Sequence, residues 1–211
     1  MAPVAQDEST SSSSDRPVVL LTGYGLFREY SSNSSKEVVD RIAATGIEGI
    51  DLRTEILPVV YDSVKKRTQE LHEQCKPCVT IHCGMYSEAN AVILEQVARN
   101  TGYDVADVNG DVVCNNCCVE QAPEFLKTCF DLEEIAGNCK TEVPVYISRD
   151  AGLYLCEYIY YLALNRCQKS LFIHIPALSD VFPLDKVVEA VKRIIILTVQ
   201  QSRQGTTEAS S

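Results

Sequence analysis

Short apolar runs of strand length alternate with stretches of helical periodicity along nearly the whole chain, and this alternation constrains the fold more than any other feature. Pro17 to Thr22 is an apolar run that stops at Gly23, and Ser35 to Ile42 follows as a capped amphipathic helix. Leu52 to Leu57 is a second strand, punctuated by Pro58. Tyr61, Val64, Thr68 and Leu71 then mark one face of a helix ending near Gln74. Strands are predicted at Cys78 to Cys83, Ala91 to Val97, Val143 to Ser148 and Leu171 to Ile175, with a helix from Ala151 to Arg166. Leu184, Val187, Val188, Val191, Ile194 and Ile195 recur at the spacing of a final helix lying on a sheet. Between Asn100 and Gly137, clustered Asn, Asp, Cys and Gly predict an irregular excursion.

Parallel strands need crossover connections, and helices supply them. The pattern therefore predicts an α/β fold: a three-layer α/β/α sandwich around a mostly parallel twisted sheet, in one domain. Its expected limits are 17–200, flanked by disordered polar tails at 1–16 and 201–211. Ligands in such sheets collect beyond the carboxyl ends of the strands, here the loops after Thr22, Cys83, Ser148 and Ile175.

Charge and composition narrow the function classes. The 19 Lys and Arg are scattered among 29 Asp and Glu, giving a net charge of −10, so nucleic acid is not an expected partner. No run approaches the ~20 apolar residues of a membrane span, and Met1 to Asp15 has neither a basic region nor an apolar run, so no signal peptide is read there. A soluble cytosolic protein is expected. Ten cysteines in such a chain fit a reduced compartment. Cys75-x-x-Cys78 and Cys114-x-x-Cys117-Cys118 also have a spacing that tetrahedral zinc sites use, which leaves a zinc-dependent reading open.

The reactive candidates are few. Of the three histidines, His72 is expected on a solvated helix face and His82 as a buried, hydrogen-bonded structural residue. His174 lies in an apolar strand that Pro176 ends, so it is either a satisfied core histidine or a general base near the strand's carboxyl end. Cys156 follows Ser148-Arg-Asp-Ala-Gly-Leu-Tyr-Leu155, a strand-to-helix junction where Asp150 can cap and Gly152 can turn. A helix N-terminus and a cationic histidine favour a reactive thiolate, while a buried apolar cysteine is the bland alternative. Glu95 ends the segment Ala91-Val-Ile-Leu-Glu95, where it is either exposed at the strand end or buried with a partner.

These segments together resemble the pyroglutamyl-peptidase I family. The resemblance runs from Val18 to about Val199. It rests on Thr22-Gly-Tyr-Gly-Leu-Phe27 followed by Asn33, on Leu57-Pro-Val-Val60, on His82-Cys-Gly-Met85 with Leu94-Glu-Gln-Val-Ala-Arg-Asn-Thr-Gly-Tyr103, on the nucleophile segment ending at Cys156, and on Phe172-Ile-His-Ile-Pro176. It implies an intracellular omega-peptidase of α/β/α fold acting on peptides with N-terminal pyroglutamate, without cofactor or metal. Glu95, Cys156 and His174 would form its catalytic triad, and the reaction would pass through a thioester. Tyr24, Phe27 and Asn33 would bind substrate, with Phe27 as a packing wall. Tyr24 stands where many members have Phe and Leu26 where Pro is usual, changes that bear on the shape and polarity of the loop. A catalytically silent member that binds blocked N-termini or another small ligand is the alternative reading.

Overall fold

A computed structural model describes residues 16–26 and 32–207. The Met1 to Asp15 tail lies outside the described residues. Six strands form one sheet in the order β2-β1-β3-β8-β4-β7. They are β1 (Val18–Tyr24), β2 (Asp51–Leu57), β3 (Val79–Met85), β4 (Val92–Glu95), β7 (Val145–Ser148) and β8 (Ser170–Ile175). The central strands β3 and β8 are buried along nearly their whole length, as their unbroken apolar runs require of strands covered on both faces.

Two hydrophobic layers fill the space above and below the sheet. On one face Val19, Leu21, Ile81 and Ile173 pack against helices α1 (Ser34–Thr45) and α5 (Leu184–Thr207). The short helix α3 (Leu132–Asn138) joins this layer through Leu132 and Ile135. On the other face Leu20 and Phe172 meet Val64 of α2 (Tyr61–Cys75) and Tyr158, Tyr160 and Tyr161 of α4 (Leu155–Arg166). The result is an α/β/α sandwich in a single domain.

Several boundaries differ from the sequence reading, each for a local reason. The segment Ala91 to Val97 does not form one strand. It stops at Glu95, and β5 (Val97–Arg99) pairs antiparallel with β6 (Phe125–Lys127) in a separate two-stranded sheet. The excursion after Asn100 therefore holds β6 and α3. Helix α4 begins at Leu155 rather than Ala151. Asp150 does not cap it: its carboxylate accepts from the Gly152 N–H at 3.2 Å in a tight turn, Gly152 has φ +75°, and the cap position falls on Tyr154. Helix α5 continues to Thr207, past the point where a polar tail was expected.

The sheet is also mixed. β4 runs antiparallel to β8 and parallel to β7, so these two strands oppose the other four. The carboxyl end of β7 at Ser148 therefore does not share the sheet end at which β1, β3 and β8 finish.

The excursion does structural work on α2. The cap position of that helix is Val60, which has no side-chain acceptor to offer. Asp107, buried and 46 residues away, fills the role: Oδ2 accepts from Tyr61 N–H at 3.0 Å, while Oδ1 accepts from the N–H groups of Asn109 and Asp111. Loss of a capping acceptor costs about 1–2 kcal/mol. Asp107→Ala is expected to lower unfolding free energy by about that amount in urea, with Asp107→Asn losing less; equal stability of Asp107→Ala and wild type would refute the remote cap.

Candidate active site

Three strands and one helix bring Glu95, His174 and Cys156 together. Alternation along β8 puts Phe172 and His174 on the face covered by α4. In the antiparallel register with β4, Glu95 lies opposite Phe172 and Ile93 opposite His174. Glu95 is thus the diagonal neighbour of His174 on the same face, a separation that a long side chain spans. The His174 ring donates from Nδ1 to Glu95 Oε1 at 2.8 Å. Both residues are buried, at 1% exposure for Glu95 and 6% for His174. Glu95 Oε2 is buried too, with no hydrogen-bond partner among the described residues. Glu95 is thus buried with a partner rather than exposed at its strand end.

Gly84 makes room for the third member. It lies beside His174 in the parallel β3–β8 register. A Cβ there would stand 2.7 Å from Cys156 Sγ and 2.8 Å from Phe172 Cζ, closer than such atoms approach. The thiol therefore rests over the glycine. Sequence reasoning passed over Gly84, although a glycine inside a strand is the available signal for close approach. Cys156 is the second residue of α4 and half-buried.

Two contacts fix the first turn of α4. Tyr24, buried at the end of β1, donates its hydroxyl to the Leu155 carbonyl at 2.9 Å. The hydroxyl that distinguishes it from Phe is thus spent anchoring the helix start. Beside Cys156, Glu157 is fully buried and receives Arg99 in a bidentate pair, with Nε on Oε1 at 2.9 Å and a terminal nitrogen on Oε2 at 2.7 Å. Arg99 also pairs with Asp150, so β5, the turn after β7 and α4 are tied together.

The electrostatics of the three histidines separate them. Burial opposes a charged His174, but hydrogen bonding and charge from Cys156 and Glu95 outweigh it and raise its pKa to about 9. Burial lowers His82 to about 3, and its Nδ1 lies 2.7 Å from Thr22 Oγ1, the structural role expected. His72 does not lie on a solvated face. It is half-buried, its Nε2 is 2.8 Å from Thr80 Oγ1, and burial followed by the nearby Arg166 charge lowers it to about 4.

A small cleft of about 100 Å³ opens beside Cys156, lined by Tyr24, Asn33, Val59, Met85, Tyr154, Leu155 and the thiol itself. Its walls are largely apolar. Asn33 reaches it with a carboxamide already engaged: Nδ2 donates to the Gly25 carbonyl at 2.9 Å, and Oδ1 accepts from Ser35 N–H and Oγ at the start of α1. Phe27 lies outside the described residues, and Leu26 is exposed. Larger hollows exist, one of about 300 Å³ between α2 and residues 111–117, but the Cys156 thiol lines the small one. Among the described residues, no group of three or more His, Cys, Asp or Glu is disposed to hold a metal ion.

A buried acid, an imidazole and a half-buried thiol at a helix start are the working parts of a cysteine peptidase. Comparison with known proteins agrees with that class. The family profile described as pyroglutamyl peptidase matches residues 17–201. The chain is 32% identical over 197 residues to pyroglutamyl-peptidase 1 of Rattus norvegicus, covering 90% of this chain and 94% of the relative. It is 28% identical over 177 residues to a pyrrolidone-carboxylate peptidase of Pyrococcus furiosus, covering 80% and 85%. Its fold superposes on pyrrolidone carboxyl peptidase from Thermococcus litoralis with a TM-score of 0.83 at 20% identity, covering 90% and 96%. The chain belongs to the pyroglutamyl peptidase family of cysteine peptidases.

With three histidines in the sequence, NMR titration reads the site directly. His174 is expected to hold its proton up to a midpoint of about 9, while His72 and His82 stay neutral above pH 5. Glu95→Gln and Cys156→Ala each remove a negative partner of the imidazolium, so each must move the His174 midpoint downward. A wild-type midpoint at or below the ordinary 6.5 would contradict the described arrangement.

Proposed function

We propose that this chain hydrolyses the amide bond after N-terminal pyroglutamate in peptides, with Cys156 as nucleophile, His174 as acid and base, and Glu95 as the group that orients and charges the imidazole. The observation that carries the reading is the thiol seated over Gly84 beside the Glu95–His174 pair, at the edge of a cleft small and apolar enough for a flat lactam.

In the proposed reaction Cys156 is the thiolate of an ion pair with imidazolium His174, whose Nδ1 is held by Glu95 and whose Nε2 carries the transferable proton. The thiolate adds to the pyroglutamyl carbonyl, and the proton passes from Nε2 to the departing amine as the C–N bond breaks. A pyroglutamyl thioester remains on Cys156. Water, deprotonated by the now neutral His174, adds to the thioester, and Cys156 leaves as the thiolate, which restores its ion pair with the imidazolium. The products are pyroglutamate and a peptide with a new N-terminus.

The oxyanion is best served by the first turn of α4. In the described part of the β1 loop, the Tyr24 N–H is donated to Ser35 Oγ at 3.0 Å and the Gly25 N–H to the Leu57 carbonyl at 2.9 Å. The Cys156 N–H lies in a helix start that no side chain of its cap residue covers, and backbone donors of that kind stabilise a developing negative oxygen. Tyr24 and Asn33 are assigned to substrate binding as walls of the cleft, and Phe27 completes the family's loop. An unblocked Gln or Glu terminus would bring an ammonium into these apolar walls at a desolvation cost, which favours the uncharged lactam. Ten free cysteines suit the reducing cytosol.

Release of fluorophore from pyroglutamyl-aminomethylcoumarin, measured under reducing conditions with chelator, tests the reading. Wild type is expected to turn over, and Cys156→Ser to lose at least about a thousandfold. Gly84→Ala, which must displace the thiol, is expected to lose about a hundredfold through misplacement alone. Folded wild type that binds pyroglutamyl peptides without cleaving them would replace this reading with that of a silent binding protein.

A further inference from the structure

Resting on the reading above, we propose that Tyr86 forms the leaving-group side of the site and selects peptides whose second residue, the one after pyroglutamate, is apolar or aromatic. Alternation along β3 points His82 and Gly84 to the same side of the sheet, and Tyr86, the first residue after the strand, sets its ring against His174 on that side. His82 is buried there and Gly84 gives its space to the Cys156 thiol. Tyr86, one step further, stands at the rim with 46% of its surface exposed.

Its place against the imidazole is defined. The rings of Tyr86 and His174 meet edge to face, with centroids 5.8 Å apart, on an imidazole that Phe172 supports from within at 4.8 Å. The Tyr86 backbone is held by its N–H on the Ile175 carbonyl at 2.9 Å, and its own carbonyl receives the Ala89 N–H at 3.0 Å. An exposed aromatic on a fixed backbone is a preorganised contact surface rather than a mobile flap.

The geometry also separates the two sides of the scissile bond. The cleft that takes the lactam is lined from β1, α1, the start of α2 and the start of α4, with Met85 as its contribution from β3. Tyr86 is not part of that lining, yet it touches the histidine that must protonate the departing amine. The residue carrying that amine therefore leaves past Tyr86. Contact between aromatic rings is worth about three- to tenfold in a rate or equilibrium.

The test compares kcat/KM for pyroglutamyl-phenylalaninamide and pyroglutamyl-glycinamide. The ratio cancels any general loss transmitted through His174. Wild type is expected to favour the phenylalanine substrate by about three- to tenfold, Tyr86→Phe to keep that ratio, and Tyr86→Ala to bring it to about one. Tyr86→Arg, at the same exposed position, is expected to shift preference toward pyroglutamyl-glutamate. A wild-type ratio near one, or ratios unchanged in Tyr86→Ala and Tyr86→Arg, would overturn the assignment while leaving the peptidase reading intact. Failure of wild type to cleave either substrate would remove both.

Discussion

A carboxylate in the interior of a sheet is costly unless a cation or several hydrogen bonds face it, and Glu95 has one such partner, His174. Breaking a buried pair by deleting one member typically costs about 3–5 kcal/mol, because the other is left uncompensated. The pair therefore binds its own charge state to the fold: Glu95 is supported as long as His174 carries or shares a proton, and His174 holds that proton because Glu95 and Cys156 face it. The β4–β8 register makes this possible, because a slip of one residue would turn Glu95 to the other face of the sheet, away from the imidazole.

The thiol is positioned by steric and polar means that reinforce each other. Gly84 provides the space, and Tyr24 and the Arg99–Glu157 pair set where α4 begins. Gly84, Tyr24 and Arg99 lie in three separate strands, so the thiol's location is a property of the tertiary structure rather than of the segment that carries it. Tyr24 shows how a departure from the family's usual phenylalanine is absorbed. Its ring lines the cleft, while its hydroxyl is turned to a backbone carbonyl and adds no free polar group to the cleft wall.

Much of this was legible in the sequence, and what was not has physical causes. Strand and helix periodicities are local, so β1, β2, β3, β8, α1 and α2 emerge close to their predicted limits. Strand direction is not local: Val92 to Glu95 reads the same whichever way it runs, and its reversal follows from the short connection 86–91, which returns the chain along the sheet without a crossover helix. Helix α3 was lost inside that excursion because seven residues give too few turns for a periodic signal. Asp150 and Gly152 resemble a cap and a turn, and they do form a turn, but the helix starts beyond it. His72 looked solvated because Thr80, its partner, lies across an element boundary. Glu95, Cys156 and His174 are singled out by motif resemblance, since residue chemistry alone leaves each with a bland alternative; Gly84 gives only the hint that any strand glycine gives.

Acyl transfer on Cys156 can be tested by trapping the proposed intermediate. The protein would be mixed with a pyroglutamyl ester, quenched in acid during turnover, digested, and its cysteine-containing peptides weighed by mass spectrometry. The added mass of one pyroglutamyl group is expected on the peptide containing Cys156, removed by hydroxylamine as a thioester is. Turnover with no adduct on Cys156, or an adduct on one of the other nine cysteines that Cys156→Ser leaves in place, would contradict it.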